Sequence, residues 1–163
     1  SSFFCRRGLR PVDTLLLEGS EVRAVRWEAR DVPGGSTVCV EFAAACVRRD
    51  PVDAPGGASV RRDSVWGNVT ALTLRLSGVM SAPDVGASEF SLDGTLGEAI
   101  GTLSGGEVRQ AAQMWRALPL PCHVSGPVTL SLRFRAGQER VWQGQALTVQ
   151  AEADSRFFES YAC

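Results

Sequence analysis

The chain has 163 residues, of which 44% are hydrophobic and 21% charged, and its formal net charge is −1. This composition excludes a disordered chain and fits one domain with its own core, so we treat residues 1–163 as a single domain. The near-neutral charge predicts no general attraction to nucleic acid or to anionic membranes. The sequence contains no run of eighteen apolar residues, so we expect no transmembrane segment.

The first part of the chain predicts two strands joined as a hairpin. Residues 12–17 form a short apolar run that stops at a Glu-Gly pair, and residues 22–30 then alternate between apolar and charged side chains. Residues 37–42 alternate again, after a Pro-Gly-Gly turn within 31–35. Period-two alternation is typical of a half-buried strand, and Pro and Gly favour a reversal between two strands.

Residues 47–63 are the part of the chain that looks most like a loop. A Val-Arg-Arg-Asp tetrad stands on each side of a long loop, predicted over 50–59, that is rich in Pro and Gly. Its arginines are either a basic tip that contacts a ligand or two strand ends whose Arg and Asp side chains pair across the base of the loop. We favour the second interpretation and keep the arginines as possible binding residues: Arg48, Arg49, Arg61 and Arg62.

The middle of the chain predicts one strand, an irregular excursion and one helix. Leucines alternate with polar residues over 69–76, which indicates a strand. Residues 77–106 lose any period and are rich in Gly, Ser and Asp, so we expect an irregular excursion there. Residues 107–118 contain good helix formers and one broad apolar face, and Pro119 follows them, which predicts a short helix.

The last part of the chain predicts a second hairpin and a docked tail. Apolar and polar residues alternate over 128–134, a turn follows at 136–139, and 140–149 return as a strand. The aromatic tail over 156–163 should dock as a last strand or be held through Cys163. With seven or eight short strands and one helix, the chain is predicted to be an all-β, antiparallel β-sandwich.

Asn68, the single asparagine, lies in the triplet Asn-Val-Thr, which is an acceptor sequence for an N-linked glycan. It follows Gly67 at the predicted mouth of the strand over 69–76, where its side chain would face water. A glycan is added in the secretory pathway. The sequon therefore predicts a secreted or cell-surface protein whose Asn68 is glycosylated.

Five cysteines, an odd number, stand at widely separated positions. In an oxidising compartment, two bridges would leave one thiol free or bonded to another chain, which makes a disulfide-linked oligomer one option. A bond between Cys39 and Cys46 would need a reversal within Ala43-Ala44-Ala45, so we expect one of the two to pair with a distant cysteine. Five reduced, buried thiols in a cytosolic protein are the alternative. The five candidates are Cys5, Cys39, Cys46, Cys122 and Cys163.

Residues for catalysis or metal binding are scarce in this sequence. His123 is the single histidine, so a Ser-His or Cys-His mechanism would have to use it. The spacing of Cys and His fits no common metal site, and we predict no catalytic residues, no metal and no cofactor. Of the four tryptophans, Trp66 is the best candidate for an exposed side chain that binds a sugar ring or a protein partner.

The sequence favours an extracellular glycoprotein module that acts by binding or assembly and is not an enzyme. Its partner would be another protein or a component of the extracellular matrix or envelope. Two alternatives stay open. One is a carrier that holds a lipid or another small molecule in an apolar cavity of the sandwich, and the other is a hydrolase that uses His123.

Overall fold

A computed structural model describes residues 12–28, 35–50, 64–79 and 100–160. These residues form ten β-strands and no helix, and the strands pair antiparallel, so the prediction of a mostly β chain is confirmed. The strands are β1 (Val12–Glu28), β2 (Ser36–Asp50), β3 (Val65–Val69), β4 (Leu72–Val79), β5 (Gly101–Gln110), β6 (Gln113–Trp115), β7 (Ala117–Leu120), β8 (Cys122–Phe134), β9 (Glu139–Ala151) and β10 (Phe157–Glu159).

Six strands close into a barrel in the order β1-β2-β4-β9-β8-β5, and β5 returns to β1 at Glu21 and Val22. The predicted sandwich is therefore corrected. A sandwich consists of two sheets packed face to face, whereas the ladder of hydrogen bonds here continues around the barrel. The two predicted hairpins are present as the β1–β2 and β8–β9 pairs.

On β2, β4 and β8, the side chains that the alternating pattern predicts to be inward are buried. One core contains the apolar residues of β2, β4 and β8, together with Trp142 of β9, which is 0% exposed. Alternation predicts these positions correctly because one face of each strand lies against the core. The buried set from the three strands is Val38, Val40, Phe42, Leu72, Leu74, Leu76, Val128, Leu130, Leu132 and Phe134.

At one end, β1 and β2 extend beyond the barrel, where the sheet continues through β3, β7 and β10, whereas β6 pairs with β5. Residues 12–16 pair with β7 on one side and with the end of β2 on the other, β2 pairs with β3, and β3 pairs with β10. We call this five-stranded part, in the order β7-β1-β2-β3-β10, the extension sheet. The aromatic tail thus docks as a last strand over Phe157–Glu159, as predicted.

The two apolar runs predicted at 12–17 and 22–30 belong to one strand, β1, which is interrupted by a bulge. Leu16 pairs with Cys46, but Glu21 already pairs with Ala44, so β1 accommodates four residues where β2 has one. Ser20 is fully buried in this bulge. Its Oγ donates a hydrogen bond to the Leu16 carbonyl at 2.6 Å and accepts one from the Cys46 N–H at 2.8 Å. This hydroxyl therefore replaces the ladder hydrogen bonds that the bulge removes.

The prediction of a helix over 107–118 is wrong. The chain instead reverses after β5 through a two-residue turn at Ala111 and Ala112, and β6 and β7 follow. Val108 and Trp115, which the helix prediction placed on one face, are cross-strand partners in this hairpin. Helix propensity is weak, and hydrogen bonds from β5 to β8 together with burial of Val108 outweigh it.

The structure describes only the two ends of the irregular excursion that is predicted over 77–106. Its first residues complete β4 and its last residues belong to β5, so both ends are strands. Residues 80–99 lie outside the described residues, and so does the loop predicted over 50–59, except for Asp50 at the end of β2.

Candidate functional site

One face of the extension sheet brings together several residues that the sequence singles out. In the β2–β3 pair, Arg48 lies directly opposite Trp66, and in the β3–β10 pair, Asn68 lies directly opposite Phe158. Directly opposite residues project from the same face, and so do residues two apart on one strand. Arg48, Trp66, Asn68 and Phe158 therefore form one patch, which we call the aromatic face.

The aromatic side chains of this face are open to solvent. Trp66 is 41% exposed and Phe158 is 55% exposed, and these are two of the four large hydrophobic side chains that stay exposed among the described residues. The Arg48 guanidinium lies over the Trp66 ring, with its carbon 6.0 Å from the ring centroid, and Arg48 also pairs with Asp50 at 3.4 Å. A cation near an indole ring is attracted by the electrons of its face.

The opposite face of the extension sheet holds β10 in place. Arg49 donates two hydrogen bonds to the Asp13 carboxylate, at 2.8 and 3.0 Å, and its guanidinium lies 4.0 Å from the centroid of the Phe157 ring. The hydrogen bonds to Asp13 raise the pKa of Arg49. Phe157 covers Gly67, where a side chain would collide with its ring. Arg49 therefore has a structural position in a pair between β1 and β2. The predicted pairing across the loop base also involves residues 60–63, which lie outside the described residues, so it stays a prediction.

Asn68 lies within β3, whereas the sequence predicted a position at the mouth of a strand. It is half-buried, and its backbone is paired with Cys46 on one side and Phe158 on the other. Thr70, the third residue of the sequon, follows the end of β3, and its Oγ1 accepts a hydrogen bond from the Arg156 N–H at 3.1 Å. The sequon thus spans the junction that fixes β10 against β3.

Cys39, Cys46 and Cys122 are buried, and the described residues contain no disulfide. Of the distant partners expected for Cys39 or Cys46, Cys122 is therefore not bridged to either of them. Burial raises the pKa of the Cys39 thiol to about 11, against the opposing effect of Arg75, so this thiol stays protonated near neutral pH. Cys5 and Cys163 lie outside the described residues, so bridges that would use either of them stay predictions.

His123 lies on the exposed surface of the barrel in a row of hydroxyl groups. Its Nδ1 is 3.1 Å from Thr148 Oγ1, and its Nε2 is 3.0 Å from Ser125 Oγ. This order of groups is similar to that of a serine–histidine pair. The third group, however, is a neutral hydroxyl where catalytic triads place a carboxylate, and a hydroxyl does not stabilise a charged imidazolium as a carboxylate does.

The other residues singled out from the sequence are not part of the aromatic face. Trp142 is buried in the core, whereas Trp27 and Trp115 are partly buried against it. Arg61 and Arg62 lie outside the described residues. Within the described ranges, no three His, Cys, Asp or Glu side chains come together as a metal site would require, and no helix is long and apolar enough to span a membrane.

Sequence reasoning missed Phe158 as a functional candidate. The sequence signal that points to Phe158 is the aromatic tail. It predicts that the tail docks as a strand, but it does not predict the register between β10 and β3. The register decides the outcome because it buries part of Phe157 and leaves Phe158 beside Asn68.

Comparison of the chain with protein-family models, with curated proteins and with solved structures gives no match in any of the three.

Proposed function

We propose that this chain is an extracellular or cell-surface glycoprotein module that acts by assembly through the aromatic face and performs no chemistry of its own. The observation that carries the proposal is the position of the exposed Trp66, with Arg48 beside it, next to Asn68 of the sequon. Tryptophan and arginine are the residue types most enriched among the residues that dominate protein–protein binding. An exposed aromatic patch rimmed by polar groups is typical of an interaction surface.

A second copy of this chain is the partner that the aromatic face fits. A two-fold symmetric contact requires a patch that is complementary to itself. The face carries the cation of Arg48, and the anion of Asp50 lies two residues further along β2, 3.4 Å from the Arg48 guanidinium. A net charge of −1 adds little repulsion between copies. We therefore favour self-assembly over binding to a different protein or to a matrix or envelope component.

Replacing Trp66 by alanine is expected to weaken self-association about thirtyfold, which corresponds to the roughly 2 kcal/mol of an interface residue that dominates binding. Sedimentation velocity over a concentration series measures the association constant. A reducing agent in a parallel series removes any contribution from disulfides between chains. Far-UV circular dichroism checks that the variant keeps its β structure.

Met114→Ala is the matched control, because Met114 is exposed to a similar extent, 46%, but lies on β6, away from the aromatic face. It should leave the association constant unchanged. A wild-type protein that stays monomeric at every concentration would overturn self-assembly, and so would equal effects of the two substitutions.

The two alternative functions have less support. A carrier needs an open interior, but a six-stranded barrel is narrower than the eight-stranded barrels that hold one small ligand. The side chains of Phe42 and Trp142 are buried inside the core of this protein. A hydrolase would use Ser125 and His123, whose contact at 3.0 Å is the one observation in its favour. Neither the carrier nor the hydrolase explains the exposed aromatic rings beside the sequon.

A further inference from the structure

The aromatic face has two halves with different surroundings. Trp66 already has a neighbour, because the Arg48 guanidinium lies over its ring. Phe158 is the more exposed of the two aromatic side chains and is the cross-strand partner of Asn68. Side chains directly opposite each other in an antiparallel pair have Cβ atoms about 5 Å apart. A group attached to the Asn68 amide therefore emerges beside the ring of Phe158.

We infer that the first sugar of an N-linked glycan on Asn68 packs against the ring of Phe158 and leaves Trp66 available for the contact between copies. This inference rests on the proposed function, which supplies the glycan. It assigns Phe158 as the platform of a modification site and divides the aromatic face into a half covered by sugar and a half that binds protein.

The modification itself is a substitution at the anomeric carbon of the sugar. The amide nitrogen of Asn68 loses one proton and forms a bond to that carbon. The bond from the same carbon to the lipid-linked pyrophosphate of the donor oligosaccharide breaks, and the pyrophosphate leaves. The acceptor residue is Asn68, and Thr70 completes the sequon, with Val69 between them.

The packing has a simple physical basis. The C–H groups on one side of a pyranose ring form an apolar surface, and the face of an aromatic ring carries negative charge density that attracts such groups. Phe158 is 55% exposed, so the sugar would also remove apolar area of the ring from water. The backbone on both sides is fixed by β-ladder pairing, so little additional ordering is needed.

The test uses protein secreted from eukaryotic cells and trimmed by an endoglycosidase to one N-acetylglucosamine on Asn68. In the wild-type protein, the ring current of Phe158 should shift the sugar protons upfield from their positions in the unfolded glycopeptide. Phe158→Leu removes the aromatic ring and should abolish this shift. Phe158→Tyr keeps a ring in the same place and should preserve it. Nuclear magnetic resonance of the sugar protons measures the shift.

A second readout compares stability with and without the sugar. The urea midpoint of the single-sugar protein should exceed that of Asn68→Gln, and the difference should be lost in the Phe158→Leu background. Identical sugar shifts in the wild type and in Phe158→Leu would overturn the inference, and so would an unchanged difference in midpoint.

Failure of the inference and failure of the proposed function give different results. A glycosylated Asn68 with no upfield shift overturns only the contact with Phe158. An unmodified Asn68 in the secreted protein overturns both the glycoprotein assignment and the inference. Loss of self-association in Trp66→Ala is measured separately on the unglycosylated Asn68→Gln protein, so its outcome does not depend on the sugar.

Discussion

Replacing Ser20 by alanine is expected to lower the free energy of unfolding by about 2–4 kcal/mol, because it leaves two buried backbone groups without a hydrogen bond. The Ser20 hydroxyl accepts from the Cys46 N–H and donates to the Leu16 carbonyl in the bulge of β1. The side chain is 0% exposed, so water does not replace it. Alanine nearly matches serine in volume, so lost hydrogen bonds, and not a cavity, account for the effect. Urea unfolding followed by circular dichroism measures the change.

Ser104→Ala is the control for this substitution. Ser104 is exposed, and its Oγ donates a longer bond, 3.3 Å, to the Arg133 carbonyl. Solvent can take over that bond, so the expected loss is below about 0.5 kcal/mol. Equal losses for Ser20→Ala and Ser104→Ala would show that the bulge does not depend on the Ser20 hydroxyl.

Replacing Gly67 by alanine is expected to cost about 1–3 kcal/mol and to displace β10 from β3. The added Cβ would collide with the Phe158 carbonyl oxygen and would lie 2.6 Å from the Phe157 ring. A backbone atom of the neighbouring strand cannot move aside as a side chain does, so β10 has to shift. Hydrogen exchange should then show faster exchange in β10, because its ladder hydrogen bonds open more often.

Gly105→Ala is the matched control for Gly67→Ala. Its Cβ would meet only the end of the Arg133 side chain, at 2.8 Å, and that end can move. We expect a smaller loss of stability and unchanged exchange in β10. Since Phe158 belongs to β10, Gly67→Ala should also disturb the aromatic face. Protection of β10 that stays the same in Gly67→Ala would contradict this account of how the tail docks.

Alternation of apolar and polar residues predicted the strands that have one face in the core. The segment that contains Leu130 is the clearest example, because its inward residues are at most 2% exposed, whereas the alternating Thr129 and Arg133 are only partly buried. The same reasoning failed where one spacing of apolar residues fits two different structures. The apolar spacing around Val108 and Trp115 is shared by a helix and by a two-residue hairpin, and only pairing with β8 distinguishes them.

Closure of the barrel depends on contacts between distant segments. β1 meets β5 at two positions only, Glu21↔Thr102 and Val22↔Gly101. The bulge in β1 lies directly before these two positions and depends on the Ser20 hydroxyl. One of the hydrogen-bond partners of Ser20, Cys46, is distant in the sequence, so local sequence does not predict this contact. For that reason, strand signals alone did not separate a sandwich from a barrel.

The aromatic face was predictable only in part. The sequon and Trp66 are visible in the sequence, and the tail was expected to dock as a strand. The placement of Phe158 beside Asn68 depends on the register between β3 and β10, segments that are about ninety residues apart in the chain. A shift of one residue would have turned Phe157 toward Asn68 instead.

The measurement that tests the account most directly is mass spectrometry of the Asn68 peptide from protein secreted by eukaryotic cells. If Asn68 is glycosylated, the mass of the peptide is raised by N-acetylglucosamine and further sugars, and the asparagine becomes aspartate when an amidase removes the glycan. A peptide of unmodified mass from folded, secreted protein would contradict the account.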